Sequence, residues 1–220
     1  MINEQVLEKN IHVTGNTVVD ALLSKIKQAR NLSLPEDVLN RLKFLEKQGD
    51  EKIILVTGHR RESFGSAFEE ICHALLELAK SDEKIKIIYP VHLNPNVVEP
   101  VNRILSGQEN IFLIEPLEYM TFLKIMDLSS LIMTDSGGIQ EEAPSLGIPV
   151  LVMRNKTERP EGMLSGLVKL VGTEKQDIID AALKQLENIG SQKNSGPTNN
   201  PYGDGKASKR IREIIEKSML

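Results

Sequence analysis

The sequence predicts an α/β fold, a doubly wound parallel sheet with helices on both faces. Short apolar runs alternate with amphipathic segments about six times along the 220 residues. Several runs are apolar at nearly every position, which is typical of strands buried on both faces of a parallel sheet. Hydrophobic residues make up 40% and charged residues 26% of the chain, which excludes disordered, collagen-like and coiled-coil classes.

Six runs predict the strands. In chain order they are 53–57 (IILVT), 85–89 (IKIIY), 111–114 (IFLI), 131–134 (LIMT), 150–153 (VLVM) and 168–171 (VKLV). In an open α/β sheet, ligands bind beyond the carboxyl ends of the strands. The residues that follow each run are therefore the candidates for a site.

Amphipathic segments and turn signals predict the helices and the chain organisation. A strand-like stretch at 11–13 precedes a helix at 16–26, and an apolar stripe at 64–78 predicts another helix. Capping boxes at Ser33/Glu36 and Thr173/Gln176 predict two helix starts. A Gly/Pro/Asn/Ser-rich stretch at 191–208 predicts a loop before a last helix at 206–219. We therefore expect a strand and helix at 1–30, the main domain at 31–190, and a loop and terminal helix at 191–220.

Charge and cysteine content narrow the class of protein. The net charge of −4 and the pI near 5.7 argue against nucleic-acid binding, which requires a dense cationic face. A single cysteine, Cys72, cannot form an internal disulfide, so we expect a cytoplasmic protein. Since no apolar run approaches the roughly 20 residues of a membrane span, we expect no membrane partner.

The residues after the first predicted strand, GHRRESFG at 58–65, favour an anion site. They place His59, Arg60 and Arg61 between two glycines at a helix start. Glycines allow close backbone approach, and arginine forks match phosphate oxygens. The alternative is a solvated basic turn with Glu62 as a local partner.

DSGGIQEE at 135–142 follows the fourth predicted strand. Its hydroxyl and two glycines favour a phosphate cradle of backbone N–H groups, and one of the following carboxylates suits sugar hydroxyls. The alternative is an ordinary glycine-rich turn. Pro144 removes a helix hydrogen bond, so we expect a short or distorted helix here.

Other candidates are weaker on pattern alone. RNKTERPEG at 154–162 favours a solvated charged loop, and His92 lies in a proline-rich loop where a histidine is more often structural. Cys72 borders an apolar stripe and has no basic neighbour, so we expect a core residue and not a nucleophile. Motifs of metal sites and serine hydrolases are absent from the sequence, and no metal is expected. The residues alone predict half of a site for a phosphorylated ligand, in particular a nucleotide.

Six motifs in order carry a family resemblance. They are VTGNTVVDAL (13–22), ILVTGHRRESFG (54–65), IYPVHLNPNV (88–97), TDSGGIQEEAPSLGIPVLVMR (134–154), TERPEG (157–162) and NPYGDGKAS (200–208). Together they resemble the non-hydrolysing UDP-N-acetylglucosamine 2-epimerases. The resemblance implies the Rossmann-like, UDP-binding C-terminal domain of a glycosyltransferase-B-like (GT-B) fold, with the last helix crossing back to an N-terminal domain. That N-terminal domain, which carries the family's catalytic acids, has no counterpart in the 220 residues.

The resemblance also implies roles for particular residues. His59 is implied at the active site, near the diphosphate and the sugar. The implied substrate contacts are Ser136, Gly137 and Gly138 to the phosphates, Glu142 to the ribose, Phe122 beside the uracil and Arg159 to the nucleotide, and the implied contacts to a second, regulatory UDP-GlcNAc are Arg60 and His92.

The implied reaction is reversible epimerisation of UDP-GlcNAc to UDP-ManNAc for cell-surface polysaccharide synthesis. UDP is eliminated and added back with C2 inverted, without a cofactor. The acid and base at C2 are expected from a partner, either an N-terminal half or another copy in an oligomer. Two alternatives stay open: a non-catalytic UDP-sugar-binding fragment, and a glycosyltransferase of the same fold.

Overall fold

A computed structural model describes residues 2–46, 49–188 and 200–219, and in these residues it contains one six-stranded sheet. The strands are β1 (Lys52–Thr57), β2 (Ile85–Pro90), β3 (Ile111–Ile114), β4 (Leu131–Thr134), β5 (Val150–Val152) and β6 (Val168–Leu170). Their order is β3-β2-β1-β4-β5-β6, and every neighbouring pair is parallel. The predicted doubly wound parallel sheet is confirmed.

The strand order creates a crevice between β1 and β4. From this central pair, where Leu55 lies opposite Ile132, the chain winds outward to β3 on one side and β6 on the other. Loops that leave β1 and β4 therefore diverge to opposite faces, which opens a gap at the carboxyl edge of the sheet. The hydroxyls of Thr57 and Thr134 share a hydrogen bond of 2.5 Å at this edge.

Helices cover both faces of the sheet. They are α1 (Thr17–Asn31), α2 (Glu36–Arg41), α3 (Ser66–Ser81), α4 (Pro95–Leu105), α5 (Tyr119–Leu128), α6 (Gly137–Glu142), α7 (Lys175–Glu187) and α8 (Ala207–Ser218). Along β1, Ile54 and Val56 face a core with α3, α4 and α7, whereas Leu55 faces a second core with α1, α2, α5 and α6. Burial on both faces explains why the strands are apolar throughout.

Three local predictions at the helix starts and the N-terminus are wrong. Helix α7 begins after Glu174 without a side-chain cap, and Gln176 donates to Asp180 instead. Pro35 precedes α2, so the helix starts too late for Ser33 to cap it. Residues 11–13 form no strand, whereas Asn16 caps α1 by accepting a hydrogen bond of 2.9 Å from the Val18 amide.

Two other predictions are confirmed. Helix α6 is short and continues as a 3-10 helix, Ala143–Leu146, because Pro144 interrupts the α-helical hydrogen bonds. Helix α8 lies within one residue of the predicted 206–219. Its first amides, those of Ala207 and Ser208, donate to the Asp20 carboxylate at 3.1 and 2.9 Å.

The apolar side of α8 is only partly covered. Ile211 and Ile214 are half-buried, and Ile215 is 51% exposed. Most of the predicted loop, residues 189–199, lies outside the described residues, and the domain boundaries near 30 and 190 stay predictions. Among the residues that the structure describes, no helix is long and apolar enough to cross a membrane.

Candidate functional site

Three segments meet at the crevice between β1 and β4. The histidine loop (residues 58–65) follows β1, the glycine turn (residues 135–138) follows β4, and the arginine loop (residues 154–162) follows β5. A cavity of about 210 Å³ lies here, lined by Gly58, His59, His92, Pro116, Ser136 and Ile139 among others. The structure therefore brings His59, His92 and Ser136 together, as the sequence predicts.

Asp135 joins the glycine turn to the histidine loop. Its side chain is 1% exposed, and its Oδ2 accepts hydrogen bonds of 2.7 Å from the backbone N–H groups of both His59 and Arg60. The other oxygen, Oδ1, has no hydrogen-bond partner and lies 3.8 Å from His59 Nδ1. That separation is too long for a hydrogen bond, so Asp135 holds the loop by its backbone and leaves the imidazole free.

The imidazole of His59 is exposed to the crevice. Its side chain is 44% exposed, and its ring stacks on His92 with centroids 5.0 Å apart. Tyr89 supports the loop from below by donating a hydrogen bond of 2.8 Å to the Gly58 carbonyl. Burial raises the pKa of the Tyr89 phenol well above its usual value, so this group acts as a neutral donor.

The glycine turn is flanked by two guanidinium groups. A Cβ on Gly137 would lie 3.6 Å from Arg60 Nη2 and 4.0 Å from Arg159 Nη2. At the neighbouring Gly138, the nearest atom would be Ser136 Oγ at 3.9 Å. Gly137 is buried and Gly138 is exposed, and glycine backbone next to two cations is suited to an anion such as a diphosphate.

The arginine loop is not the solvated charge run that its sequence favours, because carboxylates from the loop itself and from other elements pair with its cations. Arg154 is only 5% exposed and donates to Glu158 at 2.6 and 3.0 Å. Its Nε also lies 2.6 Å from a Glu62 carboxylate oxygen in the histidine loop. The hydrogen bonds from Arg154 lower the pKa of Glu158 to about 2.

Arg159 is directed towards the glycine turn by Glu141. Arg159 Nε donates to Oε1 of this glutamate, which is 6% exposed on α6. The arginine Nη2 then lies near Gly137. Arg60 from the opposite side also reaches the arginine loop, with Nη1 3.4 Å from Glu158 Oε1.

Glu142 lies beside Tyr119 at the start of α5. It is 8% exposed, and Tyr119 donates a hydrogen bond of 2.9 Å to its Oε1. Desolvation raises the pKa of Glu142, and the neighbouring Glu141 raises it further, while the Tyr119 bond acts against both. Phe122 lies one turn after Tyr119 and is half-buried against the core face of α5, so its placement beside a base stays a prediction.

Sequence reasoning did not foresee the contacts of three residues of this site. Asp135 accepts hydrogen bonds from residues 75 and 76 positions away in the chain. Tyr119 has its partner 23 positions away, and Glu141 has its partner 18 positions away. The available signals were that Asp135 directly follows a buried strand and that Tyr119 begins a helix, whereas Glu141 lies near the end of α6.

Two further features bear on the chemistry. Within the described ranges, no group of three or more His, Cys, Asp and Glu side chains has the geometry of a metal site. Cys72 is buried in the core as predicted, and burial raises the pKa of its thiol to about 12.

Comparison with known proteins connects this geometry to a family. The model of the UDP-N-acetylglucosamine 2-epimerase family matches residues 1–216. The chain is 50% identical over 221 residues to the UDP-N-acetylglucosamine 2-epimerase of Escherichia coli O157:H7, covering 100% of this chain and 58% of that protein. The Yersinia pestis enzyme is 51% identical over the same share of each chain.

Solved structures of UDP-GlcNAc 2-epimerases and related proteins have the same fold as this chain. The UDP-GlcNAc 2-epimerase of Neisseria meningitidis, bound to UDP-GlcNAc, superimposes with a TM-score of 0.86 at 43% identity, over 98% of this chain and 58% of that one. A Staphylococcus aureus protein solved with UDP gives 0.87 at 38% identity, over 99% and 57%. The chain thus spans somewhat more than half the length of these relatives. It belongs to the UDP-N-acetylglucosamine 2-epimerase family.

Proposed function

We propose that the chain binds the UDP portion of UDP-GlcNAc and serves its reversible conversion to UDP-ManNAc by elimination and re-addition of UDP. The observation that carries the proposal is the meeting of the Arg159 guanidinium, the glycine backbone of residues 137–138 and the His59 imidazole at one end of the crevice. These groups suit a diphosphate, and UDP-GlcNAc or UDP is bound to the related proteins of Neisseria meningitidis and Staphylococcus aureus.

The diphosphate is the leaving group of the proposed reaction. As the bond between C1 and UDP breaks, negative charge accumulates on the departing phosphate oxygens. Ser136, Gly137 and Gly138 offer donors for those oxygens, and Arg159 supplies a positive charge. His59 donates a proton or a hydrogen bond from its exposed ring. Donors that are already in place stabilise this developing charge without reorganisation.

The nucleoside is proposed to lie towards α5. The Glu142 carboxylate accepts hydrogen bonds from the ribose hydroxyls while Tyr119 holds it in position. Phe122 on the same helix packs beside the uracil. Arg60 and His92 contact a second, regulatory UDP-GlcNAc, and because His92 stacks on His59, that ligand adjoins the first.

The acid and base at C2 are proposed to come from a partner, either an N-terminal half or a second copy of the chain. The 220 residues cover 58% of the E. coli relative, and among the residues that the structure describes, none that lines the cavity in the crevice is an aspartate or a glutamate. This coverage favours a second candidate for the chain acting alone, which is UDP binding without turnover.

Calorimetry and an epimerase assay test the proposal. We expect heat on addition of UDP or UDP-GlcNAc and none with inorganic phosphate alone at the same concentration. If the acid and base come from an N-terminal half, UDP-ManNAc forms only when the N-terminal part of the E. coli relative is supplied. No heat with either uridine ligand contradicts the proposed function, and turnover by the 220 residues alone contradicts the need for an N-terminal half. Transfer of GlcNAc to an added acceptor, without epimerisation, indicates a glycosyltransferase instead.

Replacing Glu142 with Gln is expected to weaken UDP binding without lowering stability. The introduced amide still accepts from Tyr119, but ribose hydroxyls lose a charged acceptor, so UDP affinity falls about fivefold. The folded state, in contrast, no longer buries a carboxylate. Because the pKa of Glu142 is raised by folding, its ionisation opposes folding as the pH rises past its unfolded value, and E142Q is at least as stable as wild type at pH 7. Weaker binding together with lower stability at pH 7 contradicts this assignment.

A further inference from the structure

Glu141 is buried beside the proposed diphosphate site and has no role in the function proposed above. Both of its carboxylate oxygens are engaged. Oε1 accepts from Arg159 Nε, and Oε2 accepts a hydrogen bond of 2.7 Å from Asn16 Nδ2. Asn16 is itself fixed, because its Oδ1 caps α1. Glu141 therefore connects a cation of the candidate site to the segment that enters the domain.

A second segment holds the same arginine from its backbone side. Tyr202 donates a hydrogen bond of 3.3 Å to the Arg159 carbonyl, and its own carbonyl accepts one of 2.7 Å from the Asn16 amide. The two segments touch at Gly15 and Gly203, where a Cβ on Gly203 would lie 3.4 Å from Gly15 Cα. Arg159 is thus held by groups from residues 15–16 and 200–203 together.

We infer that Glu141 is a positioning residue, which together with Asn16 fixes the Arg159 guanidinium beside Gly137, so that affinity for a nucleoside diphosphate depends on this contact. The inference rests on the proposed function. A free arginine side chain samples many rotamers, and a clamped one loses less freedom when the ligand binds. The Glu141 carboxylate itself repels a diphosphate. Positioning and simple electrostatics therefore predict opposite signs when its charge is removed.

The variant Glu141→Gln tests that sign. Its amide has one acceptor oxygen and one donor nitrogen, so it satisfies Arg159 or Asn16 but not both. We expect its affinity for UDP, measured by calorimetry, to fall about fivefold to tenfold. Unchanged or tighter binding overturns the inference. Glu99→Gln, an exposed glutamate on α4 that pairs with Arg103, is the charge-matched control and binds as wild type.

A reciprocal swap separates positioning from loss of packing. In Asn16→Asp with Glu141→Gln, the glutamine amide donates to the introduced aspartate while its oxygen accepts from Arg159. Net charge is unchanged, and aspartate still caps α1. We expect the swap to restore UDP affinity to within about twofold of wild type. A swap that folds with the wild-type melting temperature yet binds no better than Glu141→Gln overturns the inference.

The variant Arg159→Ala tests whether Glu141 acts through this arginine. If Glu141 acts through Arg159, adding Glu141→Gln to this variant changes UDP affinity by less than about twofold, whereas multiplying losses overturn the inference. Absence of UDP binding by wild type refutes the proposed function instead. In that case, hydrogen exchange of the Arg159 Nε–H, measured without ligand, tests whether Glu141 and Asn16 fix the guanidinium. Protection in wild type and in the swap but not in Glu141→Gln supports this positioning role, and equal exchange in all three contradicts it.

Discussion

The histidine loop and the arginine loop border the same crevice, but they are held in different ways. The histidine loop is fixed through its backbone, by two amides on the Asp135 carboxylate and by the Gly58 carbonyl on Tyr89. The arginine loop is fixed through its side chains, chiefly by the pairs Arg154–Glu158 and Arg159–Glu141.

In the histidine loop, ligand binding and stability are therefore expected to depend on different groups. In the arginine loop, they are expected to depend on the same groups. Backbone anchoring leaves the His59 ring free to meet a ligand, so the ring can change without loss of the loop. In the arginine loop, the Arg159 guanidinium both anchors the loop and is proposed to bind the ligand. Substitutions in the arginine loop are therefore expected to change both properties together.

The largest effect is expected for Asp135→Ala. It removes the acceptor of two buried backbone amides, so the free energy of unfolding falls by about 3 kcal/mol. Urea denaturation measures this loss. Asp135→Asn keeps one oxygen that accepts from both amides and is the matched control, with a clearly smaller loss. Equal stability of wild type and Asp135→Ala contradicts backbone anchoring.

Arg154→Met tests side-chain anchoring. Glu158 is half-exposed and becomes hydrated when its partner is lost, so we expect a loss of about 1–2 kcal/mol at pH 7. The pKa of Glu158 is lowered to about 2 by folding, and the pair's contribution is therefore present above the unfolded pKa and lost as the pH falls towards 2. Over this range, the difference in free energy of unfolding between wild type and variant, measured by urea denaturation, becomes smaller. A difference that stays constant between pH 6 and pH 2 shows that Arg154 does not stabilise the fold through Glu158.

Gly137→Ala places a methyl group where the two loops meet. This methyl group would lie 3.6 and 4.0 Å from Arg60 and Arg159, which are ordinary van der Waals distances, so stability is unchanged. On the proposed function, the methyl group would occupy the position of a ligand oxygen, and we expect UDP affinity to fall about tenfold, or about 1.4 kcal/mol. Calorimetry and a melting curve check both parts. Normal UDP affinity in the folded variant places the diphosphate elsewhere.

His59→Ala is expected to have the smallest overall effect, with a loss of stability well below that of Asp135→Ala. The ring is 44% exposed, and its stacking on His92 is worth less than about 1 kcal/mol. UDP affinity falls severalfold nonetheless, because a donor to the diphosphate is lost. A melting temperature that drops as far as in Asp135→Ala removes the distinction between the two loops.

The sequence predicts the strands well because burial on both faces leaves nearly continuous apolar runs, as in β1 and β4. It predicts a turn and a short helix at 135–142 because two glycines follow the strand and Pro144 interrupts the helix, whereas a role of this turn in binding stays a prediction. The helix starts at Glu36 and Lys175 were missed since capping depends on local backbone angles. The local pattern of the arginine loop favoured a solvated charge run, because partners such as Glu141 come from other elements, and only the family resemblance assigned Arg159 to the nucleotide.

The buried Cys72 has a practical consequence. It is the single cysteine of the chain, and its thiol stays protonated at neutral pH because its pKa is raised to about 12. A cysteine introduced at Leu164, which is 83% exposed in the 3-10 helix that begins in the arginine loop, is therefore the one reactive sulfur available to maleimide dyes. Fluorescence from that single label can follow nucleotide binding without any prior removal of the native cysteine.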